Sequence, residues 1–205
     1  MQARHRAATT AAVAPAADRP DLSNKKVRAI LAAARKLFLE QELTAPTMDL
    51  IADTAGVSKA TIYVYFLSRE KLLLALIRCE CESDGTGVIW EAGVDPTDIE
   101  QDLRSIARRL MAFFLSLWYR DRALLRLVED QSRNIPEVGR TFLAAGPAKT
   151  HQQVVWFLTI ANAKGLLIVP DVNLVATQFM SLVRGDLPLL HKLFMPLPSK
   201  RKLDT

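Results

Sequence analysis

The stretch from Thr47 to Lys71, TMDLIADTAGVSKATIYVYFLSREK, leaves few folds open to the chain. It reads as two short helices joined by a tight turn and followed by the start of a third. Thr47 is placed to cap the first, its hydroxyl accepting from a backbone N–H with no partner inside the helix, and Asp49 suits the positive end of the helix dipole. Met48, Ile51, Ala52 and Ala55 recur at helical spacing and make one apolar face. Gly56 ends the helix, because glycine enters the left-handed region without Cβ strain. Val57 turns inward, Ser58 caps a second helix running from Lys59 to about Phe66, and Ser68 caps the third.

Laid out at 100° per residue, the second helix brings Ile62 and Phe66 together on its core side. Ala60, Thr61 and Val64 fall roughly opposite, with Tyr63 and Tyr65 flanking them and Lys59 at the N-terminal edge. A helix whose outer face served solubility alone would carry Glu, Lys or Gln there. Small outward side chains let a helix approach another surface closely, and the DNA major groove is wide enough to admit one. Two helices joined by a glycine turn of this length form a helix-turn-helix unit.

Residues 25–77 resemble the DNA-binding domain of the TetR family of bacterial transcriptional regulators. The matching residues are Ile30, Ala33, Ala34, Leu37 and Phe38, then Thr47, Ile51, Ala52, Ala55, Gly56, Val57, Ser58, Lys59, Thr61, Ile62, Tyr63, Tyr65, Phe66, Ser68, Glu70, Lys71 and Leu72. The run AGVSKATIYVYF followed by SREKLLLAL carries most of the specificity. The chain departs from the family at the turn Gln41-Glu42-Leu43, where a glycine is usual, at Val64, where an aromatic is common, and at Tyr65, where histidine is common.

The resemblance implies a homodimeric regulator, a repressor, whose second short helix enters the major groove of a palindromic operator. Half-sites would lie about one helical turn apart, roughly 34–36 Å. Lys59 and Thr61 would touch base edges or phosphates, and Ala60 and Val64 would pack on thymine methyls. Tyr63 and Tyr65 would donate to phosphates; Thr47, Ser58 and Arg69 stand at helix N-termini, where backbone amides suit phosphate, and Lys71 would assist.

Charge supports this placement. Residues 1–72 hold 11 Lys and Arg against 7 Asp and Glu, a net +4, while the remainder holds 16 against 15, a net +1. Within residues 1–36 there are 8 basic and 2 acidic side chains, an arm and first helix that would attract a phosphate backbone. Residues 1–23, rich in Ala, Thr and Pro with Arg4, Arg6 and Arg19, read as a disordered basic tail able to reach an adjacent minor groove. A secretory signal is the rival reading of Arg followed by an Ala-rich run, but alanine is a poor substitute for a Leu-rich apolar region. Cys79 and Cys81 form no disulfide framework, which fits a reducing cytoplasm. No apolar run approaches the roughly 20 residues that span a bilayer, so no membrane partner is expected.

The expected organisation is all-α. A helix-turn-helix domain over 24–72 is joined by a long fourth helix to a larger helical domain over 73–195, with a flexible tail over 196–205. The first helix runs from about Asn24 to Glu40, with Val27, Ile30, Leu31, Ala34, Leu37 and Phe38 as its apolar stripe. The fourth starts at Arg69, packs Leu72, Leu73, Leu76 and Ile77 back on the DNA-binding domain and continues toward Trp90. A loop with Gly85, Gly87 and Gly93 follows, and Asp95-Pro96 signals the next helix start. Further helices are expected over about 121–132, 136–145, 148–163, 171–185 and 187–194, with Leu166–Val169 a brief apolar linker.

The stretch AKGLLIVPDVNLVATQFMSLV resembles the C-terminal region of one TetR subgroup. The family likeness implies that the last two long helices, about 148–163 and 171–185, pair with their copies in a four-helix bundle. It also implies a cavity for a small effector of unknown identity. Met111, Phe113, Phe114, Trp118, Phe142 and Trp156 are candidates to line it, with Trp90 near, against the plainer reading that they are ordinary core. His151 and Arg109 read as polar contacts of that cavity or, more plainly, as surface residues.

No cofactor, metal or catalytic group is expected. The three histidines (His5, His151, His191) are too scattered for ligand spacing, and Cys79 and Cys81, two apart on a helix, point about 200° from one another. There is no phosphate-binding glycine loop and no nucleophile elbow. Two rival functions remain. A regulator without effector would fill the C-terminal core completely; a helical enzyme or partner-binding protein would cluster acids, bases or metal in a cavity and lack DNA affinity.

Overall fold

The computed structural model describes residues 20–40, 45–83, 88–91, 94–119, 122–193 and 195–196. Among them are ten α-helices: α1 (Lys25–Arg35), α2 (Met48–Ala55), α3 (Lys59–Tyr65), α4 (Arg69–Ser83), α5 (Ile99–Tyr119), α6 (Arg122–Ser132), α7 (Pro136–Ala145), α8 (Pro147–Ala163), α9 (Val172–Arg184) and α10 (Leu187–Lys192). The fold is all-α among the described residues. The expected tail over 1–19, the turn Gln41-Glu42-Leu43, Gly85, Gly87, Gly93 and the tail from 197 lie outside them.

Local sequence sets most helix ends. Thr47 Oγ1 accepts from Leu50 N at 3.2 Å, Ser58 Oγ from Thr61 N at 3.1 Å, Ser68 Oγ from Lys71 N at 3.2 Å and Asp171 Oδ1 from Leu174 N at 3.0 Å. Gly56 takes φ 66° and ψ 32° and donates its N–H back into α2, the left-handed end that the turn into α3 requires.

Three expectations are corrected. The first helix is not uniform to Glu40: after Arg35 the chain makes a π-helical turn, Lys36–Glu40. The wider turn lets three successive apolar side chains, Leu37, Phe38 and Leu39, all be buried, and the segment packs on α6 as well as α1. The fourth helix is described from Arg69 to Ser83, and residues 88–90 are not helical, so Trp90 is not part of it; Gln153 Oε1 on α8 accepts from Ile89 N at 2.7 Å and Trp90 N at 3.1 Å and holds that segment. The fifth helix begins at Ile99, not beside Pro96. Asp98 caps it by accepting from Gln101 N at 3.1 Å, while the Asp102 carboxylate reaches back and accepts from Thr97 N at 3.0 Å.

Two apolar cores organise the chain. The first joins α1 to α4 through Ile30, Phe38, Ile51, Ile62, Phe66, Leu73 and Ile77 and extends to Leu124, Leu127, Val128, Val138 and Phe142 on α6 and α7. The core that braces the short helices therefore runs past residue 72 into the C-terminal half. The second core holds Ile89, Ile106, Leu110, Phe114, Leu115, Val154, Phe157, Leu158 and Ala176, from α5, α8, α9 and the segment before α5.

Candidate nucleic-acid interface

α3 is anchored from one side only. Ile62 is fully buried and Phe66, which follows the helix, nearly so, whereas Val64 is 75% exposed. Ala60, Tyr63 and Tyr65 are also exposed and Thr61 is half-buried. The predicted outward face of α3 is thus the exposed one. An exposed valine between two phenol rings presents a shape suited to a groove lined with methyl groups and phosphates.

The polar members are more constrained than their residue types suggest. Lys59 Nζ lies 2.9 Å from the Asp49 carboxylate, an exposed pair linking α3 to α2. That carboxylate, first by hydrogen bond and then by charge, holds the ammonium above its ordinary range. The Ser58 and Thr61 hydroxyls are 2.8 Å apart and occupy one another. Thr47 is exposed, with its hydroxyl spent on the α2 cap. Lys71 is exposed in the first turn of α4; Arg69 is half-buried, and its Nη1 is shut from solvent without a hydrogen-bond partner.

Two contributors were not singled out from sequence. Asn24 caps α1, its Oδ1 accepting from Lys26 N at 2.9 Å, and its Nδ2 donates to the Tyr65 hydroxyl at 3.2 Å. The side chain ties the α1 N-terminus, where Lys25 and Lys26 are exposed, to the end of α3. Arg28 donates to the carbonyls of Leu22 and Ser23 at 2.7 and 2.8 Å and fixes the approach to α1, so residues 20–23 of the expected tail form a turn. An Asn before an apolar-periodic helix is a recognisable cap; its second bond, 41 residues away, has no sequence signal.

The effector candidates do not converge. Met111, Phe113 and Phe114 belong to the second core, where the Phe113 and Phe114 rings lie 5.6 Å apart and Trp90 meets Phe157 edge-on at 4.7 Å. Phe142 belongs to the first core, on α7. Trp156 is half-buried on the side of α8 opposite the core-facing Val154, Phe157 and Ala161, in line with exposed Gln152 and Thr159. Trp118 lies outside the described side chains. His151 is half-buried with Nε2 3.1 Å from Thr177 Oγ1, bridging α8 and α9, while exposed Arg109 points toward the Ile89 carbonyl at 3.5 Å.

The outer side of the last long helices mixes polar side chains (Gln152, Thr159, Thr177, Ser181) with exposed leucines. Leu174, Gln178 and Leu182 recur one turn apart on α9 and are exposed, Leu182 at 81%; Ile168, in the linker before α9, is 95% exposed. Asn162 fixes that linker by accepting from Val169 N at 3.0 Å and donating to Val169 O at 3.3 Å. Cys79 and Cys81 form no disulfide and are half-buried against the first core, and burial, then the Glu82 and Glu80 carboxylates, push the Cys79 thiol up. Among the described residues no three His, Cys, Asp or Glu side chains converge as a metal site, and no helix is long and apolar enough to cross a membrane.

Comparison with known proteins covers both halves. A family model of bacterial regulatory proteins of the tetR family matches residues 30–76, and one of the C-terminal domain of AefR-like transcriptional repressors matches residues 101–204, about half the chain. Among solved structures, the flavonoid-responsive regulator FrrA is 37% identical, with TM-score 0.73 over 88% of this chain and 90% of that one. A TetR-family regulator from Mesorhizobium loti MAFF303099 shares the fold, at 24% identity and TM-score 0.74 over 90% of this chain and 92% of that one. The HTH-type transcriptional activator FasR of Mycolicibacterium smegmatis is 31% identical over 121 residues, 59% of this chain; the chain spans about half (53%) of that curated relative's length.

Proposed function

The chain belongs to the TetR family of DNA-binding transcriptional regulators, which are not enzymes, and on that premise we propose that it is a homodimeric repressor released from a palindromic operator by a small apolar effector. The observation that carries the reading is the exposed face of α3, with Val64 at 75% exposure between Tyr63 and Tyr65. Ala60 and Val64 would meet thymine methyls in the major groove. Tyr63, Tyr65, Lys71 and the first turn of α1 would hold phosphates, and Lys59 would join them by leaving Asp49.

Dimerisation is assigned to α8 and α9. The exposed Leu174 and Leu182, the outward Trp156 and Ile168 are too apolar a set to leave facing water. The effector site is assigned to the second core, beside Met111, Phe113 and Phe114, without Phe142 or Trp156. FrrA is described as flavonoid-responsive; a flat, ring-bearing effector of that class suits a site bordered by Phe113, Phe114 and Trp90. The effector acts by population shift, binding better to the dimer whose reading helices are misplaced for the operator. The C-terminal match to AefR-like repressors supports repression, while FasR is described as an activator.

The test is selection of bound duplexes from a random DNA pool by the purified protein at two salt concentrations, followed by a reporter carrying the selected sequence. A palindrome whose affinity falls steeply with salt, and a reporter silenced by the protein, are the expected results. Binding without sequence preference, or none, would overturn the operator reading, and reporter activation would overturn repression.

A further inference from the structure

The assignment that goes furthest beyond the family likeness concerns Asn24, and it rests on the reading of Tyr65 as a phosphate contact. A backbone N–H can only donate, so the Asn24 atom 2.9 Å from Lys26 N is the amide oxygen. The amide nitrogen must then be the atom facing Tyr65, at 3.2 Å, and it too can only donate. The Tyr65 hydroxyl oxygen therefore accepts from Asn24, and the phenol's own proton is left to donate elsewhere. The ring sits at the C-terminal end of α3 with its hydroxyl beside the α1 N-terminus, where Lys25 and Lys26 are exposed.

We propose that Asn24 is a positioning residue for operator binding: its side-chain amide fixes the Tyr65 phenol so that its proton points outward to a DNA phosphate. A tyrosine standing alone could turn its hydroxyl through either in-plane direction and could accept as readily as donate. Held by an amide donor, it presents a single polarity, that of a donor, and donor strength rises when the same oxygen accepts another bond. The amide has one orientation because the cap consumes its oxygen, so the α1 cap and the α3 phosphate contact share one side chain. No residue type at position 24 other than one with both an acceptor and a donor at amide spacing performs both tasks.

The substitution that separates them is Asn24→Ser. Serine is about as good a cap as asparagine but has no donor that reaches Tyr65. The full chain is titrated against the operator duplex recovered by selection, as four proteins: unmodified, Asn24→Ser, Tyr65→Phe and the double variant. Asn24→Ser is expected to weaken operator binding about 3- to 10-fold per half-site, the range of a neutral hydrogen bond, because the phosphate contact is loosened and not removed. The log–log salt slope should stay the same, because a neutral donor releases no counterion. In the Tyr65→Phe background Asn24→Ser should have no further effect, and thermal unfolding should move little.

The outcomes separate the two layers. If Tyr65→Phe binds the operator as the unmodified chain does, the phosphate reading of Tyr65 fails. If Tyr65→Phe weakens binding but Asn24→Ser does not, or if their losses multiply in the double variant, the positioning role of Asn24 is overturned. A flatter salt slope in Asn24→Ser would overturn it as well, since that would show a displaced α1 carrying its lysines away from the DNA.

Discussion

Replacing Leu182 with alanine should dissociate the proposed dimer while leaving the protomer folded. The side chain is 81% exposed on α9 and its truncation opens no cavity in the second core. Leucine to alanine removes three carbon atoms, each worth about 0.8 kcal/mol when buried. Scaled by the exposed share, the loss is about 2 kcal/mol per protomer, and two-fold symmetry counts it twice. Imperfect packing at a protein interface returns less than full transfer, which leaves about 3 kcal/mol. At 1.4 kcal/mol per decade the dimer dissociation constant rises about 100-fold. Sedimentation equilibrium over a concentration series reads that constant, and circular dichroism confirms that the helices persist. A dissociation constant within about threefold of the unmodified chain, with the helices intact, would refute the assignment of α9 to the interface.

Three other substitutions test the DNA-binding end. Gly56→Ala should cost about 1 kcal/mol in denaturant unfolding, because φ is +66° and nothing lies within 4 Å of the added Cβ, so backbone strain acts alone; a cost several times larger would mean a steric clash. Val64→Ser should reduce preference for T-containing steps, read by competition between operator variants, more than it reduces total affinity; unchanged preference would mean that Val64 reads no base. Asp49→Asn should spare Lys59 the cost of leaving its ion pair and tighten operator binding by roughly 2- to 5-fold, most at low salt; unchanged affinity would mean that Lys59 stays off the DNA.

What could be read from sequence was local. Thr47, Ser58, Ser68 and Asp171 were legible as caps because a cap needs only a short polar side chain and the next three residues. Gly56 was legible because φ near +66° selects glycine, and the inward Ile62 and Phe66 followed from the helical period. The errors lay where tertiary contacts decide. The π turn at Lys36–Glu40 answers to α6 as much as to its own sequence. Which aromatics share a core also has no local signal: α7 carries Phe142 to the first core, apart from Phe113 and Phe114 in the second. Trp156 could have been placed by projecting α8, since its offset from Phe157 and Ala161 is fixed by the period. The pairings Asn24–Tyr65 and Lys59–Asp49 join separate elements and have no local pattern.

The proposed release needs a route from the second core to α3, and magnitudes choose between two. α4 carries two ion pairs near its C-terminal end, Glu80 with Arg35 on α1 at 3.2 Å and Glu82 with Lys149 on α8 at 2.7 Å. Two residues apart, they leave α4 on opposite sides and clasp one helix from each half. Lys149 and Arg35 are about half exposed, and such pairs are worth at most about 1 kcal/mol after screening. Coupling between sites in regulated proteins is about 1–3 kcal/mol. Together the two pairs supply alignment and are screened further by salt, but they fall short of the upper part of that range. The packed face between α4 and α7 does not: Leu73, Ile77, Val138 and Phe142 are buried in one core with Ile62 of α3. A shift of α7 transmitted from α8 across the single residue Gly146 would have to repack that core or move α4 with it. Since close-packed interiors resist repacking, the proposed release would move α4, and α3 with it.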